Sequence, residues 1–301
     1  MIGIARLGCG ALLCGVMVLV ATAAGNNPKS SGSKPPAARD AQKIPTKIAG
    51  TYRGGELVEL RERGRIAYLV KPTGMVDPQK RWLWEFPFWL GVNDGFGNLA
   101  HRYYVEKALA VGFHVAGVDV GPSYASPAAA DICEQFYEQL VSHYGLHKRA
   151  RILGHSHGGL IAYGWAFRHP TCVDRIGGMC PATDFRTYPS LRGVVSLPAK
   201  ELGYGLTLKE LEGRAAEFNP IDNLAPLAKA GVKILHLHGD HDTLVPTVAN
   251  STELARRYRD LGGDAQIVLL RGLGATRANS RGHDGPELYD SPELLKFLLA
   301  D

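Results

Sequence analysis

The sequence predicts an α/β protein whose sheet is mostly parallel and covered by helices on both faces. Two observations lead to this prediction. Short apolar runs with little polar alternation recur along the chain, and from about residue 98 onward they alternate with longer segments of helical periodicity. Strands that are buried on both faces lose the alternation of half-exposed strands, and a parallel strand needs a crossover helix to reach its neighbour.

The elements follow one another in a simple order. The chain begins its sheet with a hairpin and a strongly aromatic strand, and five more strands then alternate with helices. The eight predicted strands cover residues 55–60, 65–72, 81–90, 113–120, 149–156, 173–181, 232–240 and 265–272. The main predicted helices cover residues 98–112, 128–145, 158–170, 247–263 and 291–300. We therefore expect one domain over residues 48–301 with an eight-stranded sheet.

One segment interrupts this order between the sixth and seventh strands. Residues 182–230 contain about two short helical patterns broken by proline and glycine. The segment is too short and too interrupted for a separate domain. We expect a small helical cap beside the functional site.

The first residues have the composition of an export signal. Arg6 precedes an apolar run, and small residues at 21–24 offer a cleavage site, which predicts a signal peptide at 1–24. The uncharged run at 7–28 is also long enough for an uncleaved membrane anchor, which is the alternative. Residues 25–47, rich in proline, serine and glycine, predict a flexible linker. The expected location is periplasmic or extracellular.

The charge of the chain argues against a nucleic-acid partner. Lysine and arginine number 34 and aspartate and glutamate 29, which gives a net charge of +5. This mild excess is spread along the chain without a basic block. We expect no nucleic acid among the partners, and no stable membrane contact unless the leader stays uncleaved.

A serine lies in the pattern expected of a catalytic nucleophile. Residues 154–159, GHSHGG, contain G-x-S-x-G with Ser156 at the centre, after a predicted strand and before a predicted helix. A nucleophile at this place sits on a tight, strained turn, where Gly154 and Gly158 leave room for the neighbouring backbone. The context therefore predicts that Ser156 is a nucleophile rather than an ordinary turn serine.

A serine hydroxyl is a weak nucleophile and needs a base, normally a histidine that a carboxylate orients. The pattern around Ser156 resembles the nucleophile motif of the α/β-hydrolase superfamily, and this resemblance implies that the acid and then the histidine follow the serine in the chain. Downstream of His241 the sequence has one histidine, His283, in a predicted loop before the last helix. We expect His283 to be the base.

A second motif predicts different chemistry. His236, His238, Asp240 and His241 spell H-x-H-x-D-H, which resembles the dinuclear zinc motif of the metallo-β-lactamase superfamily. Two metals need further ligands, however, and the 60 residues after His241 contain one histidine. The first two histidines lie two apart on a predicted strand and so face one side, where they can pack beneath the site. A zinc hydrolase remains an alternative, and the expected cofactor and metal content is none.

The same stretch also resembles the acid motif of the α/β-hydrolase superfamily. Residues 238–246, HGDHDTLVP, match the pattern H-G-x-x-D-x-x-V-P with Asp242 in the acid position. Asp240 lies two residues earlier, where an aspartate often shapes the turn through backbone hydrogen bonds. Asp242 is the expected acid, followed by Asp240 and then by Asp184 after the sixth strand.

The resemblance to this superfamily extends over nearly all of residues 50–301. Within it, the chain looks most similar to dienelactone-hydrolase and prolyl-oligopeptidase-like esterases, through the stretches 84–120 and 217–246. The resemblance implies an α/β-hydrolase fold and a Ser-acid-His triad.

It also implies two backbone donors for an oxyanion. One is the N–H of His157, directly after the nucleophile, and the other is the N–H of Phe86 after the third strand. Glu85 and Trp84 beside it are candidates for the substrate pocket, although alternation along the strand also fits core packing.

The expected function is hydrolysis of a carboxylic ester through an acyl-enzyme. Export favours a small-molecule or polysaccharide ester as the substrate, such as an acylated carbohydrate. The alternatives are a serine peptidase of the prolyl-oligopeptidase type, the zinc hydrolase above, and a binding protein without catalytic activity.

Overall fold

A computed structural model of the chain describes residues 51–86, 101–197 and 200–301. The predicted signal peptide and linker and the last residues of the predicted third strand, from 87, lie outside this range. None of the helices within it is both long and apolar enough to cross a membrane.

Two tight hairpins form one edge of the sheet. Strand β1 (Thr51–Tyr52) turns through residues 53–54 into β2 (Gly55–Glu62), which turns through 63–64 into β3 (Arg65–Pro72). In both turns an arginine with positive φ precedes a glycine with positive φ. Two such residues in succession give the twist that a two-residue hairpin needs.

The remaining strands form the parallel part of the sheet. They are β4 (Trp82–Phe86), β5 (His114–Val118), β6 (Ala150–His155), β7 (Val173–Met179), β8 (Lys233–Gly239) and β9 (Ala265–Leu270). The strand order is β1-β2-β3-β5-β4-β6-β7-β8-β9, with antiparallel pairing only among the first three strands and between β3 and β5. All eight predicted strands are present, and the two-residue β1 extends their edge.

Helices follow the strands as predicted, with short additions. In chain order they are α1 (Arg102–Ala110), α2 (Pro127–Ser142), α3 (His157–Ala166), α4 (Leu191–Val195), α5 (Leu208–Phe218), α6 (Ala225–Lys229), α7 (Glu253–Asp260), α8 (Pro286–Tyr289) and α9 (Pro292–Leu299). Their buried side chains form separate cores on the two faces of the sheet. Helices α2, α3 and α7 cover one face, and α1 and α9 cover the other, so the predicted two-sided cover is confirmed.

The insertion after β7 holds α4, α5 and α6. Helix α5 is the longest of these at 11 residues, and Thr207 and Glu210 close its first turn through a reciprocal capping box. Apolar residues of the insertion, including Phe185 and Leu211, pack against Leu160 of α3 and Val245 of the loop after β8. The insertion therefore packs at the carboxyl ends of the parallel strands, where sites of open α/β sheets lie.

Candidate active site

Ser156 occupies the sharp turn between β6 and α3. Its backbone has φ 54° and ψ −124°, a conformation that is strained for any residue with a Cβ. Three backbone hydrogen bonds hold it there. The N–H of Ser156 donates to the carbonyl of Met179 at 3.0 Å, and its own carbonyl accepts from the N–H groups of Gly159 and Ala182, each at 2.9 Å.

The glycines of the turn are not equally constrained. A Cβ at Gly158 would overlap the carbonyl oxygen of Phe86, and a Cβ at Gly159 would lie 2.7 Å from the carbonyl oxygen of Ala182. At Gly154 the nearest atom to such a Cβ would be the Cα of Gly159, at 3.3 Å, which is tight without being a collision. Glycine is therefore less strictly required at Gly154 than at Gly158 and Gly159.

The three predicted triad residues form one hydrogen-bonded chain. The hydroxyl of Ser156 lies 2.8 Å from Nε2 of His283, and Nδ1 of His283 lies 2.6 Å from Oδ2 of Asp242. All three side chains are buried, and 127 residues separate the serine from the histidine. In this arrangement Nδ1 donates its hydrogen to the carboxylate and Nε2 can accept the serine proton.

The loop of His283 is fixed against the loop of Asp242. A Cβ at Gly239 would overlap the carbonyl of Gly282, so the two backbones touch where the acid strand ends. The N–H of Thr243 donates to the carbonyl of Arg281 at 2.9 Å. Gly282 has φ +73°, which lets the chain turn into His283.

Asp242 is surrounded by hydrogen-bond donors. Its Oδ1 accepts from the N–H groups of Leu244 and Val245 at 2.9 and 2.8 Å, and Oδ2 accepts from His283 and from Nε2 of His238, the latter at 3.1 Å. Burial alone would raise the pKa of Asp242, but the hydrogen bonds from His238 and His283 outweigh it and lower the pKa below its usual value. The carboxylate is therefore ionised at neutral pH.

The other two acid candidates hold different positions. Oδ1 of Asp240 accepts from the N–H of Gly272 at 3.0 Å and so ties the turn to the end of β9. Asp184 accepts from Arg186 and Asn219 in the insertion. Of the three aspartates, only Asp242 contacts His283.

The predicted oxyanion donors both adjoin the turn. His157 begins α3 directly after Ser156, where the first N–H groups of a helix have no acceptor within the helix. Phe86 ends β4 opposite Gly154, and its carbonyl meets Gly158. The loop after Phe86 lies outside the described residues.

The two predicted pocket residues lie in the core. Trp84 is fully buried and packs edge-on against Trp165, with ring centroids 4.7 Å apart. Glu85 is fully buried too, and its Oε2 lies 2.8 Å from Nδ1 of His101, whose side chain is also fully buried. Alternation along β4 explains the tryptophan, and the described contacts give both residues a structural place rather than a pocket surface.

A histidine that the sequence pattern did not indicate stacks on His283, the predicted base. The ring of His155 lies 6.0 Å from that of His283 at an interplanar angle of 17°, and 6.1 Å from that of His101. Burial lowers the pKa of His155 well below its usual value, with the nearby His101 as the second cause, so its ring is neutral. The only local feature of the sequence that could have indicated His155 is its position directly before Ser156.

The zinc-like motif does not converge on a common point. His236 and His238 are buried, and both ring nitrogens of each make hydrogen bonds to protein groups. The side chain of His241 is 86% exposed. Within the described residues, the group of three histidine, cysteine or acidic side chains whose ligand atoms all lie within 4.8 Å of one another is Cys180, Asp242 and His283, at the candidate active site itself.

A polar cavity of about 420 Å³ lies elsewhere, at the amino ends of β4, β6 and β7. Its lining residues are Gln79, Arg81, His147, Arg149, Arg151, Asp174, Arg175 and Asp301. Arg151 and Arg175 donate to the carbonyls of Leu298 and Phe297 at 2.9 and 2.7 Å, and both pair with Asp174. These arginines cap the carboxyl end of α9 and so have a structural role. They lie at the edge of the sheet opposite the predicted triad.

Comparison with known proteins gives matches in structure. No family model and no curated protein matches the sequence. Among solved structures, MPT51 (FbpC1) of Mycobacterium tuberculosis aligns with a TM-score of 0.60 at 14% identity, over 81% of this chain and 95% of that one. A thermostable esterase aligns with a TM-score of 0.55 at 15% identity, over 81% and 62%.

Peptidases match as well. A puromycin-hydrolyzing peptidase of Mycobacterium tuberculosis aligns with a TM-score of 0.55 at 16% identity, over 75% of this chain. This chain spans 36% of the length of that peptidase. The matched structures share the overall α/β architecture described above. The protein therefore has the fold of the α/β-hydrolase superfamily.

Proposed function

We propose that this protein is a serine hydrolase that cleaves carboxylic esters through an acyl-enzyme. One observation carries the proposal, the hydrogen-bonded chain from Ser156 through His283 to Asp242 on a strained turn. A turn serine without a catalytic role needs neither a buried histidine as its acceptor nor an ionised carboxylate behind that histidine.

In the first half of the reaction the serine becomes acylated. The oxygen of Ser156 attacks the ester carbonyl carbon while its proton passes to Nε2 of His283. The resulting tetrahedral intermediate collapses, its bond to the alkoxide breaks, and His283 returns the proton to that leaving group. The products of this half are a free alcohol and an acyl ester on Ser156.

In the second half water takes the place of the alcohol. His283 accepts a proton from the water as its oxygen attacks the acyl carbon, and the proton then returns to the oxygen of Ser156. Asp242 stays a carboxylate throughout, and it stabilises the imidazolium that forms in each half. Its lowered pKa, due to donors that outweigh burial, suits this role.

The oxyanion of each tetrahedral intermediate needs donors beside the turn. We assign this role to the backbone N–H groups of His157 and Phe86. The contact between Phe86 and Gly158 supports the second assignment, because it puts the end of β4 against the nucleophile turn.

A serine peptidase is the second candidate. The same three residues would serve it, and several of the similar structures are peptidases that are much longer than this chain. The two functions separate by substrate. An ester hydrolase cleaves nitrophenyl acetate and butyrate readily, whereas a peptidase also turns over aminoacyl or dipeptidyl nitroanilides at comparable kcat/KM.

We also propose that the protein is exported, on the leader-like composition of residues 1–24. Export favours acylated carbohydrate or another environmental ester over a metabolite of the cell interior. A panel of acetylated and feruloylated sugars beside the nitrophenyl esters tests this part of the proposal.

Pre-steady-state kinetics test the acyl-enzyme. With a nitrophenyl ester the wild type is expected to release a burst of nitrophenol equal to the enzyme concentration. If no burst is seen, the steady rate of ester hydrolysis is expected to be abolished in Ser156→Ala. Ser142→Ala, at the end of α2 and away from the site, is the matched control and is expected to behave like the wild type. Equal activity of Ser156→Ala and Ser142→Ala would rule the proposal out.

A further inference from the structure

A chain of buried hydrogen bonds runs from the acid of the triad into the core. Behind Asp242 lie His238, Ser251, His236 and Tyr163, which we call the buried relay. Successive contacts measure 3.1 Å from Asp242 to His238, 2.7 Å to Ser251, 2.9 Å to His236 and 2.8 Å to Tyr163. His236 and His238 are two members of the zinc-like motif.

The relay is sealed from water. The side chains of His236, His238 and Ser251 have no exposed surface, and Tyr163 is 1% exposed. In such surroundings each polar hydrogen needs an acceptor inside the protein, since an unpaired buried donor costs about 1–3 kcal/mol. The positions of the hydrogens can therefore be derived from the partners.

The carbonyl oxygen of Val245 lies 2.9 Å from Nε2 of His238 and can only accept, so that nitrogen carries a hydrogen. The same N–H is shared with Oδ2 of Asp242. In a neutral His238 the other nitrogen, Nδ1, has a lone pair and accepts the hydroxyl hydrogen of Ser251.

The remaining hydrogens follow from that one. Ser251 has a single hydroxyl hydrogen, so its oxygen accepts from Nδ1 of His236. Nε2 of His236 then accepts the phenol hydrogen of Tyr163. His236 is thus the Nδ1–H tautomer and His238 the Nε2–H tautomer. Every hydrogen in the relay points toward Asp242.

A protonated His238 gives a poorer arrangement. It would reverse the inner hydrogen bonds, and the phenol hydrogen of Tyr163, whose partner among the described side chains is His236, would lose its acceptor. Burial, with the neighbouring His238 as second cause, lowers the pKa of His236 to about 3, so that ring is neutral near pH 7. The neutral relay leaves every hydrogen paired.

We propose that His238 is a positioning residue of the triad, which the relay locks in the Nε2–H tautomer so that it donates to Asp242. The proposal rests on the proposed serine-hydrolase function. When His283 takes the serine proton, Asp242 has to remain ionised and in the plane of the imidazole. The donor from His238 serves both needs, because it stabilises the carboxylate and holds Oδ2, the oxygen that also accepts from His283.

Other titratable groups also face the pair. The Sγ of Cys180 lies within 4.8 Å of a carboxylate oxygen of Asp242 and of a ring nitrogen of His283. His155 stacks on His283, and Asp284 lies 4.0 Å from His155. These groups remain in place in variants of His238, so a change in the pH profile of such a variant reports the loss of the donor.

Two substitutions at one position test the proposal. His238→Leu removes the donor, whereas His238→Gln keeps an amide N–H near the place of Nε2. We expect His238→Leu to lower kcat about 10- to 100-fold with little change in KM, the effect of one hydrogen bond to a charged group. Its acid limb of kcat/KM should move to higher pH by about half a unit or more, because a carboxylate with one donor fewer binds protonated His283 more strongly.

The conservative variant and a control complete the experiment. His238→Gln is expected to keep most of the activity and the wild-type pH profile. His114→Leu, a buried histidine at the start of β5, is the matched control for losing a core histidine. The proposal is overturned if His238→Leu keeps the wild-type acid limb, or if His238→Gln loses as much activity as His238→Leu.

A second measurement does not depend on activity or on a variant that folds. In wild-type protein with ¹⁵N-labelled histidine, NMR is expected to show His236 protonated at Nδ1 and His238 protonated at Nε2. The reverse pair of tautomers, or a doubly protonated His238 at pH 7, would contradict the relay. If the wild type hydrolyses no ester while these tautomers are found, the proposed function has failed and the relay has not.

Discussion

The carbonyl oxygen of Phe86 occupies the space that a side chain at Gly158 would need. This contact joins β4 to the nucleophile turn and brings the proposed second oxyanion donor beside Ser156. The turn between β6 and α3 therefore packs directly against the end of β4, and glycine at position 158 makes this contact possible.

The glycines of the turn are expected to respond differently to alanine. Gly158→Ala should lower the free energy of unfolding by about 1–3 kcal/mol or more and reduce activity severely, since the clash is with backbone. Gly154→Ala, with its nearest contact at 3.3 Å, should be clearly milder in both respects. Urea denaturation and ester hydrolysis measure the two effects. Equal damage from both substitutions would show that the contact with Phe86 is not the cause.

The pair of Glu85 and His101 is expected to serve stability. Glu85→Ala leaves a fully buried histidine without its hydrogen-bond partner, and we expect a loss of about 1–3 kcal/mol in unfolding free energy. In the folded fraction KM for a nitrophenyl ester should stay near the wild-type value, because the carboxylate lies in the core. A large rise in KM at unchanged stability would instead place Glu85 in the substrate pocket.

Acid is expected to destabilise the fold partly through His114. Burial, followed by the charges of Lys80 and Lys71, lowers the pKa of this histidine to about 4. Below about pH 6.5 the imidazole of His114 is protonated in the unfolded chain, whereas in the folded protein it stays neutral down to about pH 4. The free energy of unfolding therefore falls as the pH drops through this window. One such group contributes a slope of at most about 1.4 kcal/mol per pH unit.

Unfolding free energies of the wild type and His114→Gln at several pH values between 7 and 4 test this account. The wild type should lose stability more steeply than the variant toward pH 4. Parallel curves would show that His114 has the same proton affinity in both states.

Asp242 acts in the same direction as His114, in a lower pH window. Its folded pKa lies below the unfolded value of about 3.9, since the donors on its oxygens outweigh burial. The ionised carboxylate therefore stabilises the fold above that pH, and this contribution is lost as the pH falls toward the folded pKa. Asp242→Asn should flatten the acid side of the stability curve below about pH 4 while it lowers kcat by several orders of magnitude. A variant that stays as acid-sensitive as the wild type would contradict the assignment.

Metal removal is expected to leave the proposed ester hydrolysis unchanged. The ring nitrogens of His236 and His238 are engaged in the buried relay, and His241 points to solvent. Dialysis against EDTA or phenanthroline should preserve ester hydrolysis, and elemental analysis should find no stoichiometric zinc. Loss of activity that added zinc restores would favour the metallohydrolase alternative.

Much of this fold could be predicted from the sequence because its signals are local. Each buried strand is a short apolar run, and the turn of Ser156 has its glycines next to it in the chain. His283 could be found because it is the one histidine after His241.

The contacts behind the triad have no such local signal. Tyr163 and His236 are 73 residues apart, and Glu85 and His101 are 16 apart, so tertiary packing alone brings them together. The two-residue spacing of His236 and His238 did predict a shared face of one strand. Their partners on α3 and in the turn before α7 could not be deduced from it.

The most direct test of the central claim is covalent labelling of Ser156. A fluorophosphonate probe should modify the wild type at one site, and peptide mass spectrometry should place the adduct on Ser156. Ser156→Ala should take up no probe, whereas Ser142→Ala should label like the wild type. Persistent labelling of Ser156→Ala, or an adduct mapped to another residue, would contradict the assignment of the nucleophile.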